Sequence, residues 1–272
     1  MSFEAFDWGP LLTDGPLFMG ILNLTPDSFS DGGRFEAPGA GLAQARALIE
    51  AGARMLDLGA ESTRPGARTV DPETEWNRLA PVLAELCRAF PHLPLSLDTR
   101  HAVTAERGLG EGAAVINDVT GFSDPAMLRL AADAGCGLIA MRSRPQGEGF
   151  HMPPYDDPGL RDAEAAIGEL RVLRDRLAAA GLTPDRAILD PGFGFGTTFL
   201  EDLALWEALP ELPAALDWPA DRFCIGISRK RFLAVRAGTP GLPPLQRDTL
   251  TAEAHAEARN WGYRIFRTHA MA

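Results

Sequence analysis

Residues 17–33 read LFMGILNLTPDSFSDGG. The first eight are apolar apart from Gly20 and Asn23, and a short run of this kind fits a strand buried on both faces. Polarity then rises through Asn23, Thr25, Asp27, Ser28, Ser30 and Asp31, while Pro26, Gly32 and Gly33 exclude a helix. A strand therefore opens at its C-terminal tip into a long polar loop. Seven more apolar stretches follow: RMLDLG (54–59), LPLSLD (93–98), AAVIND (113–118), GLIAM (137–141), AILD (187–190), FCIGIS (223–228) and YRIFRTH (263–269). Helical patterns separate them at 39–51, 73–90, 101–110, 125–134, 158–180, about 200–209 and 248–260. Asp71-Pro72 and Asp124-Pro125 are helix starts, and Gly52, Gly112, Gly135, Gly181 and Gly262 fall where helices should stop. Eight strands joined by crossovers long enough for parallel pairing predict an α/β protein, a (β/α)8 TIM barrel. Residues 1–272 are read as one domain, since no linker or change of composition divides them.

After the eighth strand only AMA remains, so the barrel's eighth helix has no sequence to form it. Compensation for that edge is expected in one of three ways. The N-terminal aromatics Phe3, Phe6 and Trp8 would lie across the gap or across a barrel end, or a partner subunit would bury the edge. The helix at 248–260 would otherwise tolerate water on its outer side, having only a narrow inward stripe of Leu250, Ala254, Ala258 and Trp261, with Glu253, His255, Glu257 and Arg259 facing elsewhere.

Composition narrows the function. The chain has 272 residues, 46% of them hydrophobic, and 26 basic against 37 acidic side chains give a formal charge of −11. That sign argues against a nucleic-acid partner, and an anionic ligand would need a local cluster of cations. There is no signal-peptide pattern and no apolar run of membrane-spanning length, so no membrane contact is expected. Cys87, Cys136 and Cys224 are far apart in apolar surroundings and are read as reduced thiols of a cytoplasmic protein.

In a barrel the chemistry stands at the C-terminal ends of the strands. Those ends carry Asn23, Asp57, Asp98, Asn117, Met141-Arg142, Asp190, Lys230, and Arg267 with His269. One Asp there is an ordinary helix cap, but a whole rim of polar groups is a pocket. Asp190, followed by the glycines of DPGFGFG, can accept two parallel N–H bonds from an amidine-like edge. Asn117 and Asp98 can read neighbouring ring nitrogens, and Lys230 can donate to a ring carbonyl or face a phosphate. Arg64, Arg267 and His269 suit an oxyanion such as a diphosphate. The pattern fits a fused nitrogen heterocycle carrying phosphate. GFGFG has the wrong spacing for a dinucleotide fingerprint, and no P-loop, zinc-protease or G-x-S-x-G motif occurs. His92, His101, His151 and His255 are scattered and are read as surface or loop residues.

Seven blocks, GILNLTPDSFSDGG, DLGAESTRPGA, LSLDT, AAVINDVTG, LDPGFGFG, GISRK and FRTH, lie in register from Leu17 to His269. In these the chain resembles the dihydropteroate synthase family, transferases of folate biosynthesis that sulfonamides inhibit as p-aminobenzoate mimics. The family condenses 6-hydroxymethyl-7,8-dihydropterin diphosphate with p-aminobenzoate. The resemblance implies a pterin pocket of Asp98, Asn117, Asp190, Lys230 and Phe195, with Asp57 behind it. It implies diphosphate contacts from Asn23, Thr63, Arg64, Arg267 and His269, with Mg2+ on Asn23. Loop residues Thr25, Pro26 and Phe29, with Ser228, would build the p-aminobenzoate site, and Asp98, Lys230 and Arg64 would carry the chemistry. A homodimer is common in the family.

Four positions depart from the family pattern. Arg142 stands where a histidine is usual, Thr197 where Lys or a related polar residue is frequent, and Arg231 where a small hydroxyl residue is common. These three are expected at the rim. RTHAMA replaces the usual RVHDV and the final helix. Two alternatives stand beside the synthase: a non-catalytic pterin-binding paralogue, and a corrinoid-dependent pterin methyltransferase. The TPDSFSDGG and STRPGA loops argue against the methyltransferase.

Overall fold

The computed structural model describes residues 5–25, 37–62, 69–145 and 162–271. Eight parallel strands run β1 (Leu17–Asn23), β2 (Met55–Gly59), β3 (Leu95–Asp98), β4 (Val115–Asp118), β5 (Gly137–Met141), β6 (Ala187–Asp190), β7 (Cys224–Ile225) and β8 (Ile265–Thr268). Their order is β6-β5-β4-β3-β2-β1-β8-β7, and a single parallel bridge from Leu189 to Phe223 brings β6 against β7. This is the expected barrel, nearly closed.

The helices are α1 (Gly9–Leu12), α2 (Ala37–Glu50), α3 (Pro72–Ala89), α4 (Ala102–Glu111), α5 (Pro125–Ala134), α6 (Glu164–Ala179), α7 (Phe199–Ala208), α8 (Leu212–Leu216), α9 (Arg231–Arg236) and α10 (Asp248–Asn260). Asp71 and Asp124 cap α3 and α5 by accepting from Thr74 N and Ala126 N, which satisfies amides that a helix start leaves open. The five predicted stop glycines all have positive φ. Helix α6 starts at Glu164 and not at 158: residues 162 and 163 are outside the helix, and 158–161 fall outside the described residues. The short helices α1, α8 and α9 give too few residues for a periodic signal.

Register decides which side chains enter the barrel. Gly59 pairs with Asp98, Asp98 with Asn117, Met141 with Asp190, and Met19 with Arg267. Because strand side chains alternate, a one-residue slip would turn each of these outward. Beneath them Leu17, Met19, Met55, Val115, Ile139, Ile188, Cys224 and Ile265 form an apolar floor. Outward-facing residues such as Leu56, Leu97 and Ile116 pack under the helices.

Trp8 closes the N-terminal end of the barrel. It is fully buried in that floor with Leu12, and its Nε1 donates to Arg186 O at 3.0 Å. Phe6 meets it edge-on, and the Phe6 amide donates to Gly135 O. Of the two expected placements, Phe6 and Trp8 take the barrel end; Phe3 lies outside the described residues. In α10, Ala254 and Ala258 are buried as expected and Leu250 is partly so, as is Trp261 just past the helix end. His255 corrects two expectations, of an outward face and of a surface histidine. It is buried, its ring packs against Phe18 and Phe266, and neither ring nitrogen has a partner. Cys136 and Cys224 are buried, Cys87 is half-buried, and all three are free thiols. Among the described residues no helix is long and apolar enough to cross a membrane.

Candidate active site

A cavity of about 640 Å3 opens at the C-terminal end of the barrel. Asn23, Thr25, Asp98, Asn117, Asp190, Phe195, Ser228, Lys230, Arg267 and His269 all line it. Pro26, Phe29, Thr63 and Arg64 lie outside the described residues. His151 does too.

Asp57 stands fully buried below the cavity. Its Oδ1 accepts from Ser96 Oγ at 2.6 Å, and its Oδ2 from Asn117 Nδ2 at 3.0 Å and Arg267 Nε at 2.6 Å. Arg267 Nη2 reaches Asp98 Oδ2 at 2.6 Å. One carboxylate therefore orients an amide and a guanidinium that both face the cavity, and Arg267 Nη1 takes part in neither ion pair. Burial raises the Asp98 pKa to about 7, with the nearby Asp57 adding to the rise and Arg267 opposing it.

Asp190 ends β6. Its Oδ1 accepts the Gly192 amide at 2.7 Å, and a Cβ at Gly226 would sit 3.1 Å from its Oδ2. A side chain at Gly226 would crowd that second oxygen, which would have to shift by a few tenths of an ångström. Burial raises the Asp190 pKa, while the Gly192 bond, Arg267 and Lys230 pull it down. Lys230 lies with Nζ 4.3 Å from the centre of the Phe195 ring. Burial lowers its pKa to about 8 against the attraction of Asp202 and Asp190. A lysine this close to neutrality titrates within an ordinary assay range.

His269 and Ser228 also line the cavity. The His269 amide and Nδ1 lie 3.1 and 3.0 Å from Ser228 Oγ. Burial lowers the imidazole pKa to about 4, with Arg229, Arg267 and Lys230 adding to the fall. A bound oxyanion would reverse that electrostatic part.

Several pocket-forming residues escape sequence reasoning. Arg229 has φ +61, and this left-handed turn delivers Lys230. Thr251 Oγ1 accepts the Arg229 amide, Arg247 Nη1 donates to the Arg229 carbonyl, and Asp248 takes the guanidinium at 2.7 and 2.9 Å. Glu61, also in the cavity wall, pairs with Arg100 at 2.7 and 2.9 Å and accepts the Val70 amide at 2.9 Å. That ties the two stems flanking residues 63–68. Nothing local marks either residue, since each depends on a partner distant in sequence or on a turn. Two of the three departures, in the loops after β5 and β6, are not surface groups. Arg142 is buried, and Thr197 is buried with its Oγ1 accepting the Gly194 amide at 2.9 Å. Arg231 alone is exposed.

Among the described residues no three His, Cys, Asp or Glu side chains converge as a metal cage. Asn23 offers one carboxamide to the cavity. One side chain suits Mg2+, which keeps waters and takes further oxygens from a phosphorylated substrate.

Known proteins resemble this chain in sequence and fold. The sequence profile of the pterin binding enzyme family matches residues 19–269. Dihydropteroate synthase of Mycobacterium leprae is 40% identical over 255 residues, covering 91% of this chain and 87% of that protein. The structure of Xanthomonas albilineans dihydropteroate synthase with 4-aminobenzoic acid superposes with a TM-score of 0.81 at 35% identity, covering 94% of this chain and 88% of that one. That of Anaplasma phagocytophilum dihydropteroate synthase with bound 6-hydroxymethylpterin-monophosphate gives 0.79 at 32% identity and 94% of both chains. An eight-stranded parallel barrel with a polar cavity at its C-terminal end, matched over residues 19–269, this chain belongs to the pterin binding enzyme family.

Proposed function

We propose that this chain is a dihydropteroate synthase, joining p-aminobenzoate to 6-hydroxymethyl-7,8-dihydropterin diphosphate with release of diphosphate. The observation that carries this reading is the inward layer itself: Asp98, Asn117, Asp190 and Lys230 converge on one cavity with Arg267 and His269. Asp190, already oriented by Gly192 N–H, accepts the amidine-like edge of the pterin. Asn117 and Asp98 bind neighbouring ring positions, Lys230 donates to the ring carbonyl, and Phe195 stacks beside it.

In the reaction the bond from the methylene carbon to diphosphate oxygen breaks. The amine nitrogen then bonds to that carbon and loses a proton. Negative charge grows on the leaving group, where Arg267 Nη1 and His269 stand ready to bind it. Positive charge grows on the pterin, beside Asp98. Asn23 would hold a Mg2+ on the diphosphate, supplying charge neutralisation for the departing group. Thr25 and Ser228, with Pro26, Phe29, Thr63 and Arg64, belong to the site for p-aminobenzoate and diphosphate in this reading. Closing that site would exclude water, the competing nucleophile. A cytoplasmic location, with all three cysteines kept as thiols, is part of the same reading.

The deciding experiment incubates the protein with the pterin diphosphate, p-aminobenzoate and Mg2+ and looks for dihydropteroate. Product formation supports the synthase. Pterin binding without product would favour a non-catalytic paralogue.

A further inference from the structure

Arg142 stands immediately after the C-terminal end of β5, at the barrel rim, and is only 3% exposed. Its Nε donates to Pro191 O at 2.8 Å and its Nη2 to Gly192 O at 2.7 Å, while Nη1 lies 3.2 Å from Glu169 Oε2. Two consecutive carbonyls are thus gripped by one planar fork. The backbones are joined as well: the Arg142 amide donates to Asp190 O at 3.0 Å. At Gly192, φ is +69, and a Cβ there would fall 1.8 Å from Arg142 O.

What hangs on these two peptides is the pterin pocket. The Gly192 amide orients the Asp190 carboxylate at 2.7 Å, and the Gly192 carbonyl also accepts the Phe195 amide at 3.1 Å. Phe195 in turn carries the ring that faces Lys230. Arg144 secures the far side, donating its amide to Phe195 O at 3.2 Å and pairing with the buried Glu201 at 2.8 and 2.7 Å. We propose that Arg142 is a positioning residue for pterin recognition: by holding the Pro191 and Gly192 carbonyls it sets both the Gly192 N–H that aims Asp190 and the perch of Phe195. This rests on the reading of the cavity as a pterin site.

The fork geometry is what matters. A lysine keeps the charge but presents a single ammonium and cannot hold two carbonyls in one plane. A purely structural ion pair would behave differently, since its partner Glu169 sits on α6 at the surface side of the contact, its side chain 40% exposed.

The test compares Arg142→Lys, Arg142→Gln and Glu169→Gln with the parent protein. It reads calorimetric binding of 6-hydroxymethylpterin, both Michaelis constants and thermal melting. Arg142→Lys should raise the pterin Kd and the KM for pterin diphosphate at least fivefold, and Arg142→Gln further. The KM for p-aminobenzoate should move less than twofold. Glu169→Gln should change pterin binding less than twofold, because both carbonyl bonds survive it and Arg144, which Glu169 also contacts, keeps its two bonds to Glu201. Folded Arg142 variants with unchanged pterin Kd would overturn the proposal. So would Glu169→Gln matching the loss in Arg142→Lys, or loss of the fold in both Arg142 variants, either of which makes the residue structural. Absence of pterin binding by the parent protein would instead overturn the reading of the cavity.

Discussion

At the scale of single residues, Asp190 and Lys230 give the sharpest expectations. Asp190→Asn keeps the shape of the side chain but replaces an acceptor oxygen by a donor. A pterin edge offering two N–H groups would then meet one acceptor and an NH2, a loss of about 2–4 kcal/mol. Pterin affinity measured by calorimetry should fall at least tenfold with an unaltered melting temperature; unchanged affinity would remove Asp190 from the pocket. Lys230 tests the same site through pH. With its pKa lowered to about 8, it is mostly protonated at pH 7 and loses its charge as pH rises through 8. The kcat/KM for pterin diphosphate should therefore decline above about pH 8, and Lys230→Met should abolish that limb while lowering the plateau. Both residues were legible in the sequence because a polar side chain at the end of an apolar run, as Asp190, or just beyond one, as Lys230, is a local signal. Arg229 and Glu61 were not, since their roles come from Asp248 and Thr251 for one, and from Arg100 and Val70 for the other. Arg142 was visible as an oddity, but its direction depends on the backbone of residues 191 and 192, which only the fold brings near.

Elements were more legible than the contacts between them. All eight strands and seven helices followed from period, caps and stop glycines. The short α1, α8 and α9 had no period to show. Helix α10 illustrates the limit. Its apolar stripe was readable, yet His255 turns inward against Phe18 and Phe266, because the outer faces of β1 and β8 offer rings to cover. A buried, unpartnered imidazole stays neutral in the folded state, and its pKa is lowered to about 4. The unfolded chain protonates this residue near 6.5, so it binds more protons than the folded chain between about pH 4 and 6.5. Stability from this group is complete above that window and is lost as pH falls through it, by about 2 kcal/mol at pH 5. Urea unfolding of the parent and of His255→Leu at pH 7.5 and pH 5 should show that the variant escapes this loss. Parallel behaviour of the two proteins would show that His255 contributes no such dependence. The N-terminal segment is the second element-scale case. Trp8 fills the barrel floor, and truncating so large a buried side chain costs about 3–5 kcal/mol. Trp8→Ala, or removal of residues 1–9, should lower the melting temperature by several degrees. An unchanged transition would mean that the floor closes without it.

The whole molecule sets a condition on how substrate arrives. Its formal charge is −11, and both substrates in the proposed reaction are anions, so the long-range field repels what the site must bind. Attraction comes from Lys230, Arg267 and Arg229, gathered around one cavity with His269 neutral until an anion reaches it. The two contributions have different ranges. Repulsion from charges spread over the surface acts across tens of ångströms, and salt removes it as the screening length falls from about 30 Å at 0.01 M to about 8 Å at 0.15 M. The cations lining the cavity act at contact distance in a partly water-free pocket, where salt screens them far less. Raising sodium chloride from 0.01 to 0.15 M at fixed Mg2+ should therefore leave kcat/KM for pterin diphosphate level or increase it, up to a few-fold. A steep fall over the same range would show that steering by an exposed basic surface dominates encounter. In that event the acidic whole would matter less to the substrate than a local field beyond the cavity walls.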